Sequence, residues 1–391
     1  MRVLFTSSPG WGHVHPMVPL ARAFIDRGDE VLWSASPEVC PALEREGIRA
    51  APAGLTQPDS GRMFAERYPE IESLAPPDRP AFMFPRLFGG VRAGPMLADL
   101  MPIATEFEPD TVVHEAGELA APIVAALLGV SNVTHGFGGL VLEERIAAAS
   151  AEVSPLWLAN GLEPRPYAGC YDHLYLDIYP PSLQKGDAGH VSNIQPLRPV
   201  AYATAGSEEL PAIVTHGGDL PLVYFTFGTV FNTDHVQLVT ITRALGDLPV
   251  RALVTVGPRG DPSALGPTPP NVHVARYVPQ TQILPHVALV VSHAGSGTFL
   301  ASLGSGIPQL CIPQAADQFQ NAAAAERAGV GLTIEPGAVT TDQVTDSIER
   351  LLQEPSFRRR ARRVQNEIEA MPGPAQVAKV IEQLAKASKA C

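Results

Sequence analysis

Charge is scarce in this chain, and what there is leans acidic. Asp, Glu, Lys and Arg make up 17% of the 391 residues, and 28 basic against 40 acidic side chains leave a formal net charge of -12. No basic stripe is available to meet phosphates, which excludes a nucleic-acid partner, and the same deficit disfavours an anionic membrane surface. Long apolar runs are also missing. The best candidate, Leu119 to Val130, is short and carries Pro122 and Gly129, so no membrane insertion is expected. The opening Met1-Arg2-Val3-Leu4-Phe5-Thr6 has too short an apolar run for a secretory signal. Cys40, Cys170, Cys311 and Cys391 are scattered, with no CxxC and no His at ligand spacing. Reduced structural thiols in a cytoplasm, and no metal centre, are the expectation. Neither Asp-x-Asp nor GxxxxGK followed by Ser or Thr occurs, so a metal-clamped diphosphate and a P-loop have no support.

What is present is a globular composition, 45% hydrophobic, in a chain too long for one ordinary core. Short β-branched runs such as Val3–Thr6, Thr111–Val113, Leu222–Phe227 and Ala288–Ser292 alternate with helical patterns, the rhythm of parallel βαβ units. A helix is expected from about Pro16 to Gly28, and others over Ala121–Leu128, Thr298–Leu303 and Gln318–Ala328. Gln195 to Pro221 is rich in breakers and poor in periodic apolar positions. The pattern predicts an α/β protein of two Rossmann-like domains facing across a cleft. Residues 1–205 form the first and 218–373 the second, and a last helix in 374–391 packs back on the first.

In doubly wound sheets, ligands bind beyond the carboxyl ends of the strands. After the first strand comes Ser8-Pro9-Gly10-Trp11-Gly12-His13. It begins like a dinucleotide fingerprint, but His15 stands where the third glycine belongs, so the NAD reading is weak. A histidine just after a glycine turn suits general base work; capping the next helix is the plainer role for His13. Glu115, at the end of a later strand, is placed to hold that imidazole in one tautomer, or else is a solvated strand-end carboxylate. His293-Ala294-Gly295-Ser296-Gly297-Thr298 follows a strand and opens a helix, the form of a diphosphate cradle, with Gly228-Thr229 as a further donor segment. Asp317 and Gln318 end another strand with donors and acceptors suited to sugar hydroxyls, and Asp317 doubles as a candidate N-cap.

On these residues the chain resembles GT-B fold glycosyltransferases of family 1, especially actinomycete natural-product enzymes of the calicheamicin type. The likeness is strongest from Arg276-Tyr277-Val278-Pro279-Gln280 through Asp317-Gln318-Phe319-Gln320-Asn321, and Asp177-Ile178-Tyr179-Pro180-Pro181-Ser182-Leu183-Gln184 is similar to the bacterial subgroup. The resemblance implies that His13 is the catalytic base and Glu115 its partner carboxylate. Tyr277, Val278 and Gln280 would lie at the nucleotide, as would Gly12. His293, Gly295, Ser296, Gly297, Thr298 and Thr229 would surround the diphosphate, and Asp317 and Gln318 would bind the donor sugar. It also implies an inverting displacement with no cofactor, a nucleotide-sugar co-substrate and a small apolar acceptor.

Ala301 stands where many UDP-sugar members carry a ribose-binding glutamate, which favours a dTDP-sugar, with UDP as the alternative. Acceptor contacts would come from Trp11, Phe64, Phe82, Phe84 and Phe88, in a stretch from Met63 to Met96 without clean periodicity; ordinary core is the equal alternative for the phenylalanines. A homodimer is compatible with the sequence. A sugar epimerase, an NAD enzyme and a non-catalytic partner protein of the same fold are the competing functions. None of them uses His13, Glu115 and Asp317-Gln318 together.

Overall fold

The computed structural model describes all residues except 185–187, 203–209, 217, 229–234, 258–259, 336 and 391. Contacts divide the chain into two units. The first is Met1–Tyr179 with Gly186–Arg198 and Met371–Cys391; the second is Pro180–Lys185 with Pro199–Ala370. The chain thus changes unit at Arg198, ahead of residue 205, and the segment from Met371 is part of the first unit.

Among the described residues the first unit holds a seven-stranded sheet: β1 (Arg2–Thr6), β2 (Glu30–Ala35), β3 (Arg49–Pro52), β4 (Thr111–Glu115), β5 (Ser131–His135), β6 (Leu174–Asp177) and β7 (Ile194–Pro196). Its order is β3-β2-β1-β4-β5-β6-β7 and every pairing is parallel. Parallel strands are covered on both faces, so the central ones read as continuous apolar runs. Val3, Leu4 and Phe5 of β1 and Val112 and Val113 of β4 are fully buried.

The second unit holds β8 (Leu222–Thr226), β9 (Arg251–Thr255), β10 (Val272–Ala275), β11 (Leu289–Ser292), β12 (Gln309–Cys311) and β13 (Gly331–Thr333), in the order β10-β9-β8-β11-β12-β13, again all parallel. The order reverses between β1 and β4 in one sheet and between β8 and β11 in the other. Such a switch point is where an open α/β sheet leaves a crevice. No helix among the described residues is long and apolar enough to cross a membrane.

Three local differences from the sequence reading have physical causes. Helical structure begins at Trp11, not Pro16. A turn over Trp11–Val14 passes through a 3₁₀ segment at His15–Met17 into the helix Val18–Asp26, and the 3₁₀ geometry accommodates Pro16. Gln195 belongs to β7, a three-residue edge strand too short to show periodicity and ended by a proline that an edge tolerates. The stretch Met63 to Met96 is helical throughout much of its length. It includes Gln57–Arg67, Arg79–Phe84, a π-helical run over Pro85–Arg92 and the start of Ala93–Phe107. Its period is obscured because a π-helix breaks the 3.6 repeat.

The π-helical run lies under the long helix Glu143–Ala159, and glycine makes that approach possible. A Cβ on Gly89 would stand 2.8 Å from Cβ of Glu152 and 3.1 Å from the Ala149 carbonyl oxygen. At the other end of the chain, Pro374–Ala390 buries Val377, Ala378, Ile381 and Ala385 and is tied to the first unit by Glu382 with Arg27 and Lys389 with Asp110. Gly89→Ala should cost about 1–3 kcal/mol by overpacking, read as a lower urea midpoint. An unchanged midpoint would show that Glu143–Ala159 yields without penalty.

Candidate functional site

β1 and β4 run side by side, with Thr6 opposite His114. The loop after β1 and the last residue of β4 therefore meet at the switch point of the first sheet. Glu115 ends β4 with no exposed surface. Its Oε1 accepts the Ser8 N–H at 3.1 Å and its Oε2 accepts the Gly117 N–H at 2.5 Å. His13 Nδ1 lies 3.2 Å from Oε2, an ion-pair distance, though the ring N–H is not aligned for a full hydrogen bond. Free enzymes often hold catalytic pairs this loosely. Burial alone would raise the Glu115 carboxyl, but the imidazole and the two backbone N–H donors overcome it and hold it at about 2. Glu115 is therefore a buried anion aimed at a histidine, not a solvated strand end.

The rings against His13 are Phe88 and Phe137, both edge-on, at 5.4 and 4.9 Å between centroids. Trp11 instead stacks on His15 at 5.1 Å, and burial lowers that second imidazole to about 4. Gly12 is exposed beside His13, and a Cβ there would meet nothing within 4 Å. His114, next to Glu115, is a core residue. It lies 2.9 Å from Thr134 Oγ1 and 3.1 Å from the Glu115 carbonyl oxygen, and burial lowers it to about 4. Glu118 is 2% exposed. Burial pushes its carboxyl up to about 8, against two N–H donors from Ala120 and Ala121, so it is mostly neutral at pH 7 where Glu115 is charged.

In the second unit the switch point holds the segment after β11. Ala294 adopts φ 62, and the helix Ser296–Gly304 starts at Gly295 with no side-chain cap. The first N–H groups of a helix have no intrahelical acceptor, so those of Ser296, Gly297 and Thr298 are open to an anion. Asn321 ties the turn down, donating to the Ala294 carbonyl at 2.8 Å and to Ser296 Oγ at 3.0 Å. Ser296 Oγ donates to Asp317 Oδ2 at 2.5 Å. Asp317 occupies the N-cap position of Gln318–Ala328 but makes no capping bond; its carboxylate serves the neighbouring turn. Gln318 is 2% exposed, and its Oε1 accepts from the Gln314 and Ala315 N–H groups, shaping the loop.

His293 is buried and lowered to about 4 by that burial, so it is a neutral ring near pH 7. A Cβ on Gly228 or Gly295 would come within 2.7 or 2.5 Å of its ring, so a larger residue at either place would force the imidazole to move. Tyr277 is exposed, Val278 is buried, and Gln280 donates to Thr298 Oγ1 at 2.8 Å. Thr229 lies outside the described residues.

Of the acceptor candidates, Phe88 reaches His13. Phe84 packs on Phe88 at 5.0 Å, and both belong to the main core of the first unit. Phe64 and Phe82 sit in a smaller cluster with Leu87 and Val91, and Arg86 stacks on Phe82 at 3.9 Å. Residues that sequence reasoning passed over include Phe137, Ser8, Gly117 and Asn321. Phe137 was signalled by the glycines around it after β5, and Asn321 by its place four residues after Asp317. Ser8 and Gly117 act through backbone N–H groups, for which no side chain gives a sign.

Residues 241–384 match a family described as erythromycin biosynthesis protein CIII-like, C-terminal domain. The whole chain is similar to elloramycin glycosyltransferase ElmGT of Streptomyces olivaceus, 32% identical over 401 residues, covering 97% of this chain and 96% of that protein. It is 31% identical to the L-demethylnoviosyl transferase of Streptomyces niveus, covering 97% of each. Among solved structures, the glycosyltransferase SnogD from Streptomyces nogalater matches with a TM-score of 0.80 at 26% identity, over 98% of this chain and 99% of that one. Spinosyn rhamnosyltransferase SpnG complexed with thymidine diphosphate matches at 0.81 and 28%, over 98% and 100%. The two Rossmann-like domains are thus those of a GT-B glycosyltransferase. The chain belongs to the glycosyltransferases of actinomycete natural-product biosynthesis.

The two carboxylates give opposite pH slopes. Glu115, held at about 2 against an ordinary 4.5, contributes stability that is present above about pH 4.5 and is lost as pH falls toward 2. Glu118, raised to about 8, contributes stability that is present below about pH 4.5 and is lost as pH rises toward 8. Stability of Glu118→Gln, measured by urea denaturation, should therefore rise relative to the parent between pH 5 and 8. A difference that stays flat over that range would show that Glu118 is ionised in the folded protein.

Proposed function

We propose that this glycosyltransferase moves a deoxysugar from a dTDP-sugar onto a hydroxyl of an apolar small molecule, with inversion and without a metal ion. The observation that carries the reading is the buried Glu115 anion 3.2 Å from the His13 imidazole. His13 takes the acceptor's proton through Nε2 as the acceptor oxygen bonds to the anomeric carbon. The bond from that carbon to the diphosphate oxygen breaks, and the electron pair leaves with the nucleotide. Glu115 stabilises the imidazolium so formed.

Leaving-group charge falls on Ser296, Gly297 and Thr298 N–H groups at a helix amino end. A neutral His293 contributes shape and at most one hydrogen bond, not charge. Asp317, fixed by Ser296, would accept from the donor sugar's hydroxyls, and Gln318 would act mainly by shaping the loop beside it. Phe88 and Phe137 make the apolar surroundings of the base that an aglycone ring would share. The thymidine diphosphate seen with SpnG and the deoxysugar in the name of the aclacinomycin-T 2-deoxy-L-fucose transferase of Streptomyces galilaeus support the donor choice. Ala301, packed against an apolar cluster, brings no carboxylate to a ribose hydroxyl.

His13→Ala, assayed in EDTA, should lower transfer at least about 100-fold, the scale of a lost general base, with thymidine diphosphate affinity within about twofold of the parent. Undiminished turnover would remove His13 from its role, and a parent enzyme inactive in EDTA would remove the metal-free mechanism. Calorimetry should show thymidine diphosphate binding more tightly than UDP, and Ala301→Glu should narrow that gap. A parent preference for UDP would discard the deoxyribose argument and leave the transferase standing.

A further inference from the structure

Arg92 closes the π-helical run beside the His13–Glu115 pair and is 6% exposed. A guanidinium has five N–H donors. Nη2 gives one to Gln57 Oε1 at 2.9 Å and one to Ser60 Oγ at 3.2 Å. Nε is buried without an acceptor, and Nη1 has none among the described residues. No carboxylate forms an ion pair with it among the described residues. Burial lowers Arg92 to about 10, opposed only by the more distant charges of Glu115 and Glu38, so it remains a cation at neutral pH.

A buried cation with spare donors is costly unless something pays it back. Arg92 also lines a recess with Ser8, Gly54, Phe88, Met96 and Glu118. The recess has a volume of ≈ 10 Å³, about what one water-sized oxygen occupies. Phe88 joins the recess to the base, since Arg92 lies 5.1 Å from that ring and His13 lies 5.4 Å from it.

We infer that Arg92 is a specificity-determining residue for the acceptor, receiving in this recess an ionised oxygen (carboxylate, enolate or phenolate) borne by the molecule whose hydroxyl His13 deprotonates. The inference rests on the transferase reading. Its chemistry is that of a charge-assisted bond from a planar fork, which a lysine reproduces in charge but not in geometry. The apolar ring of the acceptor stays on the Phe88 side, and only its oxygen-bearing edge enters.

The test is fluorescence titration of the full chain, in the presence of thymidine diphosphate, with 1-hydroxy-2-naphthoate and with 1-naphthol, which lacks the carboxylate. The parent should bind the naphthoate at least about tenfold more tightly, the scale of one charge-assisted hydrogen bond. Arg92→Met should bring the two within about twofold, and Arg92→Lys should keep part of the difference. A side chain that only supports the fold would weaken both probes together and leave their ratio unchanged. Equal binding by the parent, binding of neither probe, or a ratio that survives in Arg92→Met overturns the inference. Should Arg92→Met not fold, the parent ratio and Arg92→Lys still decide. Failure of the parent to bind thymidine diphosphate, measured separately, would instead count against the transferase reading.

Discussion

Everything at the first site depends on keeping one carboxylate charged where no water reaches it. Desolvation of Glu115 is the largest force on its ionisation, and it acts in the wrong direction. Three groups counter it, and each comes from a different feature of the fold. The Ser8 N–H comes from the loop after β1, the Gly117 N–H from the turn after β4, and the imidazole from the helical turn that Gly10 starts. Gly117 is also a steric requirement, because a Cβ there would stand 2.8 Å from Phe88 and 3.1 Å from Glu115 Oε2. The parallel pairing of β1 with β4 is what brings these pieces to one point.

The two sheets share the same strand order around their switch points, yet they solve different electrostatic problems. In the first, a side-chain anion and a ring face each other within a loop pair. In the second, the charge is to come from outside, and the response is a helix amino end whose N–H groups are left open. Side chains there hold the backbone and one another: Asn321 donates to the Ala294 carbonyl, Asp317 accepts from the Ser296 hydroxyl, and Gln318 holds its own loop. Such a turn is held in place by a buried amide and by the Asp317 carboxylate at its edge. An open helix amino end fixed in this way can accept an anion with little rearrangement.

Much of this was legible because strands and Gly-rich turns carry strong local signals. β1, β4, β8 and β11 are apolar runs that end in polar residues, so Glu115 and His293 could be placed at strand ends, and His13 in the Gly-rich turn after β1, from spacing alone. Three of the four edge strands were not legible. β3, β7 and β13 are three or four residues long and gain their structure from neighbours, not from their own pattern. The acceptor side was obscured for another reason. The π-helical run over Pro85–Arg92 keeps Phe84, Phe88 and Arg92 together at intervals of four, while the positions around them drift off the 3.6-residue repeat. His114 shows the converse, a chemically suggestive residue that Thr134 and the backbone fully engage within the core.

Glu115 and Glu118 are three residues apart, both buried, and in opposite protonation states because their surroundings differ. Glu115 faces the His13 imidazole, whereas Glu118 faces backbone N–H groups and another carboxylate. Two anions so close in a dry site would oppose each other, and a neutral Glu118 removes that conflict. It also leaves the full field of a single negative charge for His13. With Arg92 as a buried cation close by, the described residues of the first site include one fixed anion and one fixed cation. On the proposed mechanism a proton arriving on His13 would find its partner already in place, and an ionised acceptor oxygen would find the other. On this argument the neutral carboxyl matters as much as the charged one, since it keeps each of those pairings from being shared.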